Sequence, residues 1–301
     1  MLAEASNAPN TVSCRSFSKM LPPNLLLSVI KELPPDGKPP SIHRREKVGA
    51  AMGTIEDKYF DRPAGEISLL PPIELDPARA ALVIIDMQYH DAHADHGVVA
   101  ALEKLHPGST AYYAKRLSTV VPAIRRLLDH ARATDLKIIH LVVGSDYQDL
   151  RDFNRRMRAW ILDLQQRSGM ADFYWAQSPT FCILEELTPL AHETLFRKRS
   201  FGAFNSTNFE NLLHELGIET LLITGCVTNY CVETTVRDAA DRGFSVVVID
   251  EAVAGFDQAS HDATLASFRG GFAAVVRTAD RMIALLNEKR TTRDPRRAAG
   301  E

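Results

Sequence analysis

The chain has 301 residues, 45% of them hydrophobic, and carries 35 basic against 38 acidic side chains for a net charge of −3. That length allows one large domain or two small ones with a substantial core. The near-balanced charge gives no reason to expect nucleic acid or an anionic membrane surface as partner, and no apolar run approaches the ~18–20 residues of a membrane helix.

Residues 1–76 hold many of the prolines, few periodic apolar stretches and a basic run at His43-Arg44-Arg45-Glu46-Lys47. They read as a largely irregular N-terminal extension, or as an over-extended start, since Met52 offers an alternative beginning. Arg15 and Lys19 with nearby serines faintly suggest a transit peptide, but Glu4, Glu32 and Asp36 argue against one. Tyr59, Phe60, Ile67, Leu69 and Leu70 offer side chains for docking on a domain or a neighbouring subunit. The catalytic domain is expected over 77–288 and a disordered tail over 289–301.

From residue 77 onward, apolar runs alternate with helical periodicity. The strand at 81–86 is uninterrupted and apolar, and closes on Asp86. A long loop follows, then a helix near 118–133 with Val120, Ile124, Leu127, Leu128 and Ala131 on one face. The second strand is Lys137–Val143, followed by a basic amphipathic stretch around 149–164. Strands near 194–197, 221–225, 245–249 and 273–277 come next, with helices at 207–216, 231–242, 258–268 and 279–288. Six strands with helical crossovers imply an α/β, doubly wound parallel sheet. No internal repeat, GxGxxG or phosphate loop occurs, and no cofactor is expected.

Three residues stand where such a sheet carries chemistry. Asp86 ends a buried strand at the catalytic edge, although a helix cap or surface turn accounts for a strand-end Asp about as well. Lys198 ends the segment Thr194-Leu195-Phe196-Arg197-Lys198-Arg199 before a Gly-containing turn, but adjacent cations are usually a solvated face. Cys231 follows the buried run Leu221–Gly225 and opens a helix. Free N–H groups and the helix dipole meet there and favour a thiolate. A lone buried cysteine more often behaves as a small hydrophobe.

The order of these residues, with the wording around them, resembles the isochorismatase-like cysteine hydrolases. The matching pieces are VIIDMQ at 83–88, the K-x-x-F-G-A-F pattern from Lys198 and TGCVTNYCVETTVRDAADRG at 224–243. The resemblance spans roughly 78–288, and the wording is nearest to ureidoacrylate-type and other ureide or carbamoyl amidohydrolases. It implies a strand order of 3-2-1-4-5-6 and a triad of Asp86, Lys198 and Cys231. It also implies a cis peptide at Cys226–Val227 and an oxyanion hole from the N–H groups of Val227 and Cys231. Gln88 is expected to bind substrate. The implied protein is a cytoplasmic homo-oligomer, a dimer or tetramer, acting on a small molecule.

Some features leave alternatives. The cluster His90-Asp91-Ala92-His93-Ala94-Asp95-His96 has metal-ligand chemistry. Nicotinamidases of the same superfamily take ligands from an Asp-x-His pair after strand two, and Gly144-Ser145-Asp146-Tyr147-Gln148-Asp149 here lacks that histidine. No metal is therefore expected, and the cluster reads as a polar loop at the pocket mouth. Tyr89 and His90 stand where many relatives have Asn-Asp and an aromatic. Arg151, Arg155, Arg156 and Arg158 suit either a carboxylate substrate or a solvated helix face. The cysteines at 14, 182, 226 and 231 lack paired metal spacing and fit a reducing cytosol. An isochorismatase-type vinyl-ether hydrolase and a non-catalytic binding protein remain as alternatives, and Cys231 within the intact set argues against both.

Overall fold

Six apolar runs, rich in the β-branched residues that favour extended chain, form one parallel sheet. The strands are β1 Ala80–Ile85, β2 Lys137–Val143, β3 Thr194–Lys198, β4 Thr220–Cys226, β5 Ser245–Ala254 and β6 Ala274–Val276. Their order is β3-β2-β1-β4-β5-β6, the doubly wound topology the sequence implies. The computed structural model describes residues 73–205 and 207–293. Expectations for the extension before residue 73 and the tail beyond 293 lie outside those residues.

Alternation of side chains along β1 feeds two cores. Ala80, Leu82 and Ile84 face one side, packed with Val120, Ile124, Leu127 and Leu128 of the long helix α3 (Ala111–Ala133). Met282 and Leu285 of α8 (Ala279–Arg293) complete that layer. Ala81, Val83 and Ile85 face the other side. There they meet α5 (Phe209–Glu215), α6 (Glu233–Asp241) and α7 (Gln258–Arg269) through Phe209, Val236 and Phe268. A third, smaller core joins α2 (Gly97–Leu105) to α4 (Arg155–Ser168) beside the short helix α1 (Tyr89–Ala92), with Val98, Met157, Ile161 and Tyr174 inside.

Several boundaries differ from the expectation. α3 starts at Ala111, because Tyr113 and Leu117 extend its buried stripe by two turns. α4 starts at Arg155, where Asn154 Oδ1 accepts from Met157 N at 3.0 Å, and it stops at left-handed Gly169. α8 continues to Arg293, so residues 289–293 are helical rather than part of a disordered tail. Buried Leu75 and packed Ile73 join the first core, which places packing residues ahead of the boundary expected at 77. The helix expected over 231–242 divides into a π-helical turn, Thr228–Val232, and α6.

Gly225 sets how closely β4 approaches β1. It pairs with Ile85 at a φ of 108°, and a Cβ there would stand 2.0 Å from the Ile85 carbonyl oxygen. Only glycine tolerates both constraints. Gly225→Ala is expected to destabilise the domain by about 3 kcal/mol or more, since strained backbone and a backbone clash act together. Urea unfolding of the variant against wild type checks this, and an unchanged midpoint would count against the close approach.

Candidate active site

Asp86 is the first residue past β1. Its φ of 52° is left-handed, a conformation uncommon for a non-glycine residue and concentrated at functional sites. Three backbone-level contacts hold it: Asp86 N donates to Leu141 O at 2.9 Å, Gln88 N donates to Asp86 O at 2.8 Å, and the Cys226 thiol donates to Asp86 O at 3.3 Å. Lys198 closes β3, two strands away. Its ammonium reaches past β2 to Asp86 Oδ2 at 2.7 Å and donates to Ser200 O at 3.1 Å. Both side chains are buried, at 0% and 1% exposure. Apart from that ion pair, neither Asp86 oxygen is committed to a hydrogen bond of ordinary geometry among the described residues. The carboxylate therefore keeps acceptor capacity for a thiol.

Cys231 completes the group from the π-helical turn after β4. It is 7% exposed, and its thiol interacts with both Asp86 and Lys198. The sheet thus brings together Asp86, Lys198 and Cys231, which are far apart in the chain. The peptide Cys226–Val227 is cis, at the expected bond. Val227 O accepts from Tyr230 N at 3.0 Å and from Val232 N at 3.3 Å, folding the turn back on itself. Cys226 and Cys231 are free thiols, with no bridge between them. Cys182 is disulfide-bonded.

A buried polar chain fastens this turn, and no local motif announces it. Thr228 Oγ1 pairs with His261 Nδ1 at 2.9 Å, and His261 Nε2 with Asp250 Oδ1 at 3.1 Å. Arg116 donates to that same Asp250 oxygen at 2.7 Å and to Val253 O at 3.1 Å. The turn is thereby tied to α7, β5 and α3.

The structure places Gln88 differently from the substrate-binding role expected of it. Its side chain is fully buried, Nε2 donates to Phe181 O at 2.6 Å, and Oε1 accepts from Val143 N at 2.7 Å. Both ends of the amide are committed to backbone, so it braces β2 against the Phe181 segment.

Above Cys231 opens a cavity of about 420 Å³. Val98, Met157, Trp160 and Phe256 make its walls largely apolar, and Asp91 and Arg156 are its charged lining groups. Of the four arginines singled out, Arg151 and Arg158 engage Asp149 at 3.0 and 4.0 Å, Arg155 is exposed, and Arg156 lines the cavity. The histidine-rich segment divides. His90 and Asp91 are buried, whereas His93 and His96 pack with Tyr89 in a small aromatic group nearer solvent. Among the described residues, no three His, Cys, Asp or Glu side chains are grouped to hold a metal ion. Nor is any helix there long and apolar enough to cross a membrane.

A model of the isochorismatase domain matches residues 80–280. The chain belongs to the isochorismatase family. A ureidoacrylate amidohydrolase RutB of Serratia proteamaculans is 27% identical over 201 residues, covering 63% of this chain and 77% of that protein. An N-carbamoylsarcosine amidase of an Arthrobacter species is 28% identical over 46% of this chain and half of its own length. Among solved structures, a cysteine hydrolase from Pseudomonas syringae pv. phaseolicola is 25% identical with a TM-score of 0.59, covering 71% of this chain and 95% of that one.

Within this family member, burial governs the Cys231 thiol. It pushes the Cys231 thiol well above its ordinary range, Asp86 adds to the rise, Lys198 opposes it, and Asp91 adds again. The sequence suggests the opposite, a thiolate favoured by a helix N-terminus. Burial outweighs the dipole, and the helix proper begins only at Glu233. Burial likewise raises Asp86, with Lys198 pulling against it. For Lys198, burial disfavours the charge, but Asp86 and Cys231 together outweigh burial and keep the ammonium protonated. Burial and the Lys198 charge thus act in opposite directions on both the thiol and the carboxyl. Iodoacetamide labelling of Cys231 is expected to rise with an apparent pKa above that of a free thiol. Fully buried Cys226 should stay unlabelled. Peptide mapping across pH checks both, and rapid labelling of Cys231 at neutral pH would contradict this account.

Proposed function

We propose that the chain is a cysteine-dependent amidohydrolase, cleaving a non-peptide C–N bond in a small ureido, carbamoyl or amide compound. The observation that carries this is the Cys231 thiol at a cavity floor against the buried Asp86–Lys198 pair. The printed activities of the relatives, on ureidoacrylate and N-carbamoylsarcosine, support it. In this mechanism Asp86 takes the thiol proton as sulfur attacks the carbonyl carbon. The carbonyl electrons move onto oxygen, where the N–H groups of Val227 and Cys231 receive the negative charge; one such donor is typically worth about 3–4 kcal/mol. Collapse breaks the C–N bond, and Asp86 returns the proton to the departing nitrogen. An amide leaves a thioester, a ureide a thiocarbamate. Water, deprotonated by Asp86, cleaves that bond and restores the thiol. Lys198 stabilises Asp86 in the ionised form from which each proton abstraction starts.

Arg156 belongs to the same proposal as the group that receives a carboxylate at the far end of the substrate. So does assembly as a cytoplasmic homo-oligomer, for which Trp160 and Tyr230, exposed beside the cavity, supply apolar surface.

An ammonia-release screen over biuret, ureidoacrylate, N-carbamoyl amino acids, nicotinamide and simple amides tests the reaction class. Cys231→Ser and Asp86→Asn are each expected to lower kcat by at least about 10³-fold. Because Asp86 must be ionised and its carboxyl is raised, kcat/KM should fall as pH drops through a limb lying above the usual carboxylate range. A Cys231→Ser variant that turns over normally would sink the proposal. Arg156→Ala should raise KM about tenfold or more for carboxylate-bearing substrates and leave uncharged amides unchanged. Equal effects on both would remove Arg156 from the binding role.

A further inference from the structure

Asp91 stands on α1, five residues after Asp86, and the catalytic scheme leaves it without a task. Tyr174 donates its hydroxyl to Asp91 Oδ1 at 2.5 Å, and Tyr113 donates to the Asp91 backbone oxygen at 2.9 Å. The other carboxylate oxygen, Oδ2, lies 3.4 Å from His90 Nε2. No Lys or Arg among the described residues lies within ion-pair distance of it. Yet the side chain is 10% exposed and lines the cavity together with Cys231. A carboxylate facing apolar walls without a cation is costly for stability alone.

Its surroundings press it into place. Gly97 lies so close to His90 that a Cβ would stand 2.2 Å from the His90 Cα, which clamps α2 onto α1. The His90 ring packs at 4.3 Å from Tyr174. His90 is fully buried, and neither ring nitrogen has a hydrogen-bond partner of ordinary geometry among the described residues. His90, Asp91 and Tyr174 thus form one packed polar unit on the cavity wall. Asp91 and Tyr174 line the same cavity as Cys231.

We propose that Asp91 is a substrate-binding residue whose carboxylate accepts hydrogen bonds from the N–H groups of the bond to be cleaved, selecting a primary carbamoyl, –CO–NH2, over an ester of the same acyl group. The inference rests on the amidohydrolase reading and deepens it. An ester offers no donor to that oxygen and sets its own lone pairs against the carboxylate. A site built to pair an N–H rejects the analogue that lacks it far more strongly than an apolar pocket does. The two charges of the cavity then divide the substrate: Asp91 takes the nitrogen end, and Arg156 faces the anionic end.

The test uses the full-length chain as wild type, Asp91→Asn and Tyr174→Phe, with a primary amide or ureide active in the screen and its methyl ester. In Asp91→Asn the carbonyl oxygen keeps the Tyr174 bond, so the amide nitrogen turns a donor toward the substrate where an acceptor stood. The kcat/KM for the primary amide is expected to fall by about tenfold or more, mainly through KM, with the ester nearly unchanged. Tyr174→Phe removes the anchor but keeps the carboxylate, so it should lower both substrates together. The apparent pKa of Cys231 alkylation should also drop in Asp91→Asn, because a neighbouring negative charge is gone. Equal losses on amide and ester in Asp91→Asn, or no loss on either, overturn the proposal.

Ligand-induced thermal shifts separate this outcome from failure of the parent reading. The unreactive Cys231→Ala protein and its Cys231→Ala/Asp91→Asn derivative are compared with the same amide and ester, or with the whole screening panel should wild type turn over none of it. Stabilisation by primary carbamoyl ligands that disappears with Asp91→Asn supports the Asp91 site even without turnover. Stabilisation indifferent to residue 91, or absent for every ligand, overturns it.

Discussion

The buried ion pair between Asp86 and Lys198 is the contact on which the rest of the site depends. Withdrawing two charges from water costs several kcal/mol per ion, and that cost is offset only when the partners meet in good geometry. Here the meeting requires three strands to keep register. Val143 of β2 pairs with Lys198, and Leu141 pairs with Ile85, so β2 is the spacer that sets how far the lysine must reach. Gly225 fixes the other flank, letting β4 deliver the turn that carries Cys231 beside β1 without displacing the Ile85 backbone. Loss of either charge would strand the other in a sheet interior, which typically destabilises a protein by about 3–5 kcal/mol. The geometry of this site and the stability of the fold are here the same constraint.

The pair also reconciles two opposing electrostatic tendencies. Burial makes ionisation of the thiol and of the carboxylate harder, while Lys198 supplies the compensating charge at short range. The Cys231 thiol is thereby unlike a cysteine whose pKa is lowered by a nearby cation or a helix N-terminus.

Much of this was legible in the sequence. The β-branched runs ending in Asp86 and Lys198, and the run feeding Cys231, mark strand ends that a parallel sheet places along one edge. What escaped is instructive. Gln88 looks like a ligand-binding amide, yet burial leaves both of its ends to backbone partners. The helix-dipole argument for Cys231 depends on where the helix begins, and the π-helical turn moves that point beyond the cysteine. Among four similar arginines, only the handedness of α4 and its packing on α2 decide that Arg156 meets the cavity. The links among Arg116, Thr228, Asp250 and His261 join residues remote in sequence, with no periodicity to connect them.

The fastening of the Thr228–Val232 turn to α3, β5 and α7 has a dynamic corollary. The turn is linked through Thr228 and His261 to Asp250 and Arg116, and such buried hydrogen bonding raises the cost of local opening. Trp160 and Tyr230 at the cavity are exposed, at 40% and 43%, and exposed side chains change rotamer within picoseconds to nanoseconds. The pocket is therefore firm along the Thr228–Val232 turn and adaptable at its rim, so shapes that differ only at the rim can be accommodated by rotamer changes without disturbing the turn.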